Sequence, residues 1–586
     1  MTELFVSLTQ KFLLGPFFAP SLITLITWLT YHYTLKCGSV SDDIAGIMEY
    51  DGKLQGTEYG MLWRWVRYHI CGGNSKSKHS DGRGGFIPNG KVASHHHFLS
   101  IVIFNITCVV TYYALTPIIG SKIALMSVIF LIVHPCTTQG VAWFSGLAYP
   151  LSLLWMSILI LLTRYFYAHP DMNTAMWLIP TFVIINWLAI HAIFATTAML
   201  WIILMFLGYW QVALLSLVIS AIMCFDEIRK IVNLRVTEFK KQHMEQSTVL
   251  NWRKPIVALK TFCYYVKHSL APIRMGLYHE YGFHYEASME RMDKMFVGGL
   301  LIFCLSTWAF FITPCVSIKL GILWYIVFLL GFANFITAQQ FLTERYVMVS
   351  NLGLGMVIAT LTQNCTWVYA CLIGGYLVRT WTHLPTYDNE LRFYQSNVWN
   401  FQKSEVALGN LGVTYARIGM ENSATDSWTI ATQVNPDYDV PWVNIFYQLR
   451  TKGFMMINNG DYVGGIKKLQ DALPYLQKAL TCKVCHFPEQ WQREQKELAD
   501  SIAAPQMILQ GELKRLLMLK DSLSNMLMKA KTPQAANDIQ LSINNNNSQM
   551  QGLVTCMQAN NMPVTTPELF NKMNTDMLMD KLTRRK

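Results

Sequence analysis

Uninterrupted apolar runs constrain the fold of this 586-residue chain more than any other feature of its sequence. They recur near 13–35, 98–117, 122–134, 140–162, 175–191, 194–208, 210–225, 294–315, 319–340, 350–364 and 366–380. A helix needs about 20 apolar residues to cross a hydrocarbon core about 30 Å thick, and its backbone must satisfy its own polar groups there. The first 380 residues therefore predict an all-α, polytopic membrane bundle of about eleven transmembrane helices, some tilted or broken. Charge agrees: Asp, Glu, Lys and Arg make up 14% of the chain, against about 25% in soluble domains. That deficit excludes an ordinary cytosolic enzyme and equally a disordered, highly charged chain. The first run lacks a basic flank and a small-residue cleavage site, so it reads as a span rather than a removable signal.

From Trp381 onward the character changes: 21 basic residues face 19 acidic ones, and short helical periodicity replaces the long runs. Leu411, Gly412, Tyr415, Gly419, Ala424, Ala431 and Pro436 occupy the seven signature positions of a tetratricopeptide repeat (TPR). Gly453, Met456, Gly460, Gly465 and Ala472 form a weaker second copy, 41 residues on when Gly460 is counted from Gly419. Two repeats bury little core by themselves. The Gln-, Met- and Lys-rich helices expected at 488–531 and 533–560, with Asn544–Asn547 as a polar interruption, would cap them or bind a partner. The expected division is a membrane domain over 1–380, a TPR domain over 381–480 and a helical extension over 481–586. Most basic residues of the membrane part lie in two long loops, 36–97 and 226–293, so the positive-inside rule leaves its orientation open. Those loops would also meet anionic lipid headgroups.

Asp42-Asp43 follows the first run. A carboxylate at a membrane boundary can take a proton from a hydroxyl, and a like-charged neighbour keeps one member's pKa high; a solvated loop or helix cap is the plainer alternative. Further patches follow in order: His97-Phe98-Leu99 with Phe104-Asn105, His134-Pro135 with Val141-Ala142-Trp143 and Gly146, Leu270-Ala271-Pro272 with Leu277 and Tyr281-Gly282-Phe283, Glu344-Arg345-Tyr346 before Gly353, and Arg379-Thr380-Trp381. Together they resemble the GT-C superfamily of membrane glycosyltransferases, in particular the transmembrane O-mannosyltransferases that carry C-terminal TPRs. The resemblance implies a GT-C-like bundle, a polyprenyl-phosphate sugar as donor, no other required cofactor, inverting transfer to a protein hydroxyl, and a TPR domain on the extracytoplasmic side, in a periplasm or organelle lumen. It implies Asp42 or Asp43 as general base, with Arg345, Lys267 and Arg274 holding the donor phosphate by charge-assisted bonds. His95, His96, His97, His134 and Glu344 would line the same face. For Arg345 the alternative is an ion pair with Glu344, for His134 a loop cap, and for the His run a solvated interface.

This chain departs from the family where charge is expected. Gln139 stands for its Glu, Leu147 for its Arg, Tyr149 for a nearby acid, and Phe194-Ala195 for its Lys-Glu pair. Charges in a membrane are costly and usually functional, so a catalytically degenerate scaffold subunit of a membrane complex is the alternative to an active transferase. One motif points elsewhere. Cys482, Cys485 and His486 fit C-x-x-C-H, the covalent haem c attachment pattern; a disulfide, free thiols or a metal are alternatives, and haem would make the chain an electron-transfer subunit. No phosphate-binding glycine loop, hydrolase elbow or H-E-x-x-H helix occurs. The expected partners are membrane lipids and a protein acceptor or complex subunit met by the repeats and C-terminal helices, with no nucleic acid.

Overall fold

The computed structural model describes residues 17–41, 43, 66, 67, 69–71, 90–170, 172–193, 199–222, 225, 254–279, 292–333, 342–459, 461–482, 487–529 and 532–559. Regular structure among them is helical throughout, with no strand. The described residues form two compact units, the first ending at Val434 and the second beginning at Asn435.

In the first unit, Ala93–Ile119, Phe144–Ala168, Lys294–Ile312 and Glu344–Thr362 are long and apolar enough to cross a membrane. Ser121–Val133 and Pro135–Ala142, bent by 66° at His134, make a fifth candidate if they count as one span. The eleven apolar runs thus resolve, among the described residues, into four or five such helices and several shorter ones. Phe18–Tyr31 has 14 residues before a 3-10 turn at His32–Lys36, which is about 21 Å of helix. Val316–Leu330 has 15, and the apolar parts of the runs at 175–191 and 210–225 are Ile179–Ala189 and Trp210–Ile222.

Hydroxyls inside these apolar helices bond back to their own helix, as Thr27 does to the Ile23 carbonyl at 2.8 Å and Ser127 to Ile123 at 2.7 Å, which pairs them without water. Small residues set the closest packing. Val316–Leu330 lies against Met348–Thr362 where a Cβ on Gly321 would stand 2.6 Å from the Gly353 carbonyl oxygen. Lys294–Ile312 instead turns Leu301, Leu305, Trp308 and Phe311 outward, a surface suited to hydrocarbon.

The first unit closes with a helical hairpin, Glu405–Arg417 and Glu421–Val434, turned at Gly419 with φ of 80°. The second unit opens with another, Asp439–Asn458 and Tyr462–Thr481, followed by Pro488–Leu527 and Pro533–Ala559. The boundary between the units thus falls between the two repeat-like segments. Asn544–Asn547 does not interrupt the last helix: Asn546 turns inward and donates to the Leu516 carbonyl at 2.8 Å.

Candidate functional site

The bend at His134 carries the polar centre of the first unit. His134 sits between the two helices in an extended conformation and caps the 3-10 turn Pro135–Thr137 by accepting the Cys136 N–H on Nδ1. Its Nε2 lies 2.8 Å from the Ser269 carbonyl, which fixes the Nε2–H tautomer. Five residues further on, Gln139 is fully buried and spends both ends of its amide. Nε2 donates to Glu344 Oε2 and to the Gly276 carbonyl, each at 3.0 Å, while Oε1 accepts from Thr343 Oγ1 at 3.0 Å and the Arg345 N–H at 3.2 Å. A glutamate here could not donate and would set two carboxylates against each other. A neutral amide therefore fits the partner that this chain presents.

Glu344 is fully buried. Oε1 accepts the Gly276 N–H, and the same oxygen lies 3.7 Å from His268 Nε2 and 3.8 Å from His279 Nε2. Burial drives the His279 imidazolium below its ordinary range, so that ring is neutral. The alternative for Arg345, an ion pair with Glu344, is not seen among the described contacts: Arg345 stacks 4.7 Å from the Trp143 ring and meets the Tyr149 hydroxyl. Tyr149 thus supplies an acceptor for the guanidinium. Lys267 and Arg274 both carry exposed side chains.

Just beyond Trp143 the same segment meets Asp43. This carboxylate, with no exposure to solvent, accepts the Phe144 N–H at 3.2 Å, the Ser145 N–H at 2.9 Å and the Ser145 hydroxyl at 3.0 Å. It thereby caps the turn that starts the Ala148–Ala168 helix, where a negative charge meets the positive end of the helix dipole. Burial nevertheless raises its carboxyl to about 7, against the opposing pull of the Ser145 and Phe144 donors and of Arg67. Arg67 is itself buried, which lowers its guanidinium to about 10; it donates to the Phe144 and His96 carbonyls and to Ser100 Oγ. His97 joins this cluster with its ring 4.5 Å from Phe144 and Nε2 3.2 Å from the Gly38 carbonyl. His96 is buried with it, whereas His95 is exposed. Asp42 lies outside the described residues.

Tyr387 connects the two clusters: buried at the end of a 3-10 turn, its hydroxyl is raised first by burial and then by both Glu344 and Asp43. Elsewhere in the first unit, Leu270, Ala271, Pro272 and Ile273 line an apolar recess of about 400 Å³ with Cys371, Leu372, Gly375, Tyr376 and Arg379. Arg379 donates there to the Pro272 and Ile273 carbonyls at 3.1 and 2.9 Å. In the second unit, the Cys482 thiol packs on the Lys478 and Pro436 carbonyls at 3.3 and 3.5 Å, and Cys485 and His486 lie outside the described residues. Sequence reasoning missed Arg67, His268, His279 and Tyr387; none sits in a motif with fixed spacing. No family model, curated protein or solved structure matches this chain.

Proposed function

We propose that the chain is a multi-pass membrane glycosyltransferase of GT-C type, which moves a sugar from a polyprenyl-phosphate donor to a protein hydroxyl on the extracytoplasmic side. The observation that carries this reading is Asp43: a buried carboxyl with its pKa near 7 is matched to accepting a proton at neutral pH. Its counterpart is the apolar recess at Leu270–Ile273, which suits a polyprenyl chain. In this reading exposed Lys267 and Arg274 hold the donor phosphate, Arg345 orders the floor of the site, and His97 and His134 fix the segments around it. The hairpins at Glu405–Val434 and Asp439–Thr481 serve as two TPRs that present the acceptor. The test is intact-mass analysis of secreted and membrane proteins from cells carrying Asp43→Asn. Loss of sugar masses from a defined set of proteins supports the reading, provided the variant is expressed and folded. Unchanged masses defeat it.

One observation favours a second reading. Both oxygens of Asp43 are already occupied by donors from Phe144 and Ser145, which is how a carboxylate retained only for structure is used. The chain would then be a non-catalytic subunit that keeps a GT-C-like bundle as a scaffold. Disruption of a membrane complex on deleting the whole chain, with Asp43→Asn harmless, supports that outcome.

A further inference from the structure

Three ligating side chains converge at the Glu344 carboxylate. His268 lies in the last turn of Lys254–Leu270, His279 in the segment that follows, and Glu344 at the start of a 3-10 turn. One ligand atom from each lies within 4.8 Å of the other two, and all three residues are buried. Their histidine–carboxylate distances of 3.7 and 3.8 Å are too long for hydrogen bonds. His268 Nε2 is fully enclosed and has no hydrogen-bond partner among the described residues. Leaving such a group unpaired costs the free energy of its lost hydration, and a second imidazole nitrogen lies just beyond bonding range of the same carboxylate oxygen.

We propose that His268, His279 and Glu344 bind one divalent ion of the zinc class, through Nε2 of each imidazole and the carboxylate. Two imidazole nitrogens and a carboxylate oxygen form a donor set that zinc accepts with bonds of about 2.0–2.2 Å. A tetrahedron with such bonds has edges of about 3.3–3.6 Å, so each imidazole closes on the carboxylate by a few tenths of an ångström, and the ligand atoms, which lie within 4.8 Å of one another, draw together to take the ion. The surroundings already hold them. The His279 ring stacks on Phe401 at 4.3 Å and 14°, and His268 lies parallel to Tyr264 at 12°. The Tyr264 hydroxyl bonds His279 Nδ1, the outer-shell contact by which a ligating histidine is oriented. Binding selects the tautomer with the proton on Nδ1 and frees Nε2 from the Gly276 carbonyl, 3.0 Å away. That carbonyl keeps the Gln139 Nε2 donor, also at 3.0 Å, so no acceptor is orphaned. Gln139 and the Gly276 N–H fix the carboxylate. Three protein ligands leave a fourth position for water or a substrate oxygen.

This site does not depend on sugar transfer, and its test reads metal rather than activity. The full chain, purified in detergent and stripped with chelator, is dialysed against zinc and its metal content measured by mass spectrometry. The expected result is about one zinc per chain, with affinity at least ~10-fold weaker in His268→Asn, His279→Asn and Glu344→Gln and about wild-type in Cys482→Ser. Because a variant could misfold, cobalt(II) titration of the wild-type chain gives a second readout, in which d–d absorption typical of tetrahedral nitrogen and oxygen ligation is expected. Tyr264→Phe gives a third, weakening retention about 10-fold through the outer shell. The proposal is overturned if wild type holds no more zinc than the His268→Asn/His279→Asn double variant, or if the zinc departs with Cys482→Ser instead.

Discussion

Asp43 combines two demands on one carboxylate: it caps a helix-starting turn and it lies wholly out of water. Desolvation dominates, and its carboxyl rises to about 7 from an ordinary value near 3.9. Between those values the folded chain holds a proton that the unfolded chain has released. Stability therefore falls as pH rises from about 4 to about 7, by on the order of 4 kcal/mol, and levels off above that. The melting temperature of the purified protein should drop between about pH 4 and pH 7, and the slope should flatten in Asp43→Asn; equal slopes would show that another group titrates there. Asp43 was legible in sequence because a flanking apolar run and later patches gave it context. His268 and His279 were not, since neither belongs to a spaced motif and their partner Glu344 lies in a distant segment. Glu344 and Arg345 look like a pair on paper, yet successive residues of a 3-10 turn point about 120° apart. One meets the histidines and the other Trp143.

Helices were easier to read than their lengths. Hydropathy marks apolar runs but does not register where they break, so the His134 bend and the early end of Phe18–Tyr31 were invisible to it. The hairpin of Glu405–Arg417 and Glu421–Val434 was legible because close helices need small residues at fixed places. Gly412 faces the indole of Trp428, where an added Cβ would overlap the ring. The Trp428 Nε1–H meanwhile donates to the Gly409 carbonyl at 3.0 Å. Gly412→Ala should therefore destabilise the hairpin by about 1–3 kcal/mol. Gly409→Ala, whose Cβ meets nothing within 4 Å, should be neutral or stabilising by up to about 1 kcal/mol through helix propensity. Thermal unfolding and limited proteolysis between residues 405 and 434 distinguish them; equal effects would mean that Trp428 does not seat against Gly412.

At the scale of the whole molecule, the second unit has a core of its own. Phe446 from one helix, Ile466, Leu469, Leu476 and Ala479 from the next, Trp491, Leu498 and Leu513 from the 40-residue helix and Met557 from the last form one apolar cluster. Polar ties reinforce it: Trp491 Nε1 donates to Asp439 at 3.2 Å, and Arg450 pairs with Glu494 at 2.6 Å. The cluster crosses residue 480, where sequence reading had placed a boundary between repeats and extension. The change from repeat-like spacing to Gln-rich helix marks a change of composition, whereas burial follows the shared apolar faces. Cutting the chain therefore gives opposite results at two places. A fragment of residues 435–586 keeps every member of the cluster and should be helical, monodisperse without detergent and cooperative in unfolding. A fragment of residues 481–586 loses Phe446, Ile466, Leu469 and Leu476 together; at about 2–5 kcal/mol per large buried side chain, that is as large as the 5–15 kcal/mol that holds a typical domain together. Circular dichroism melts of the two fragments decide the matter. A cooperative transition in the shorter one would mean that its two helices are stable as a pair, and that Tyr462–Thr481 merely leans on them.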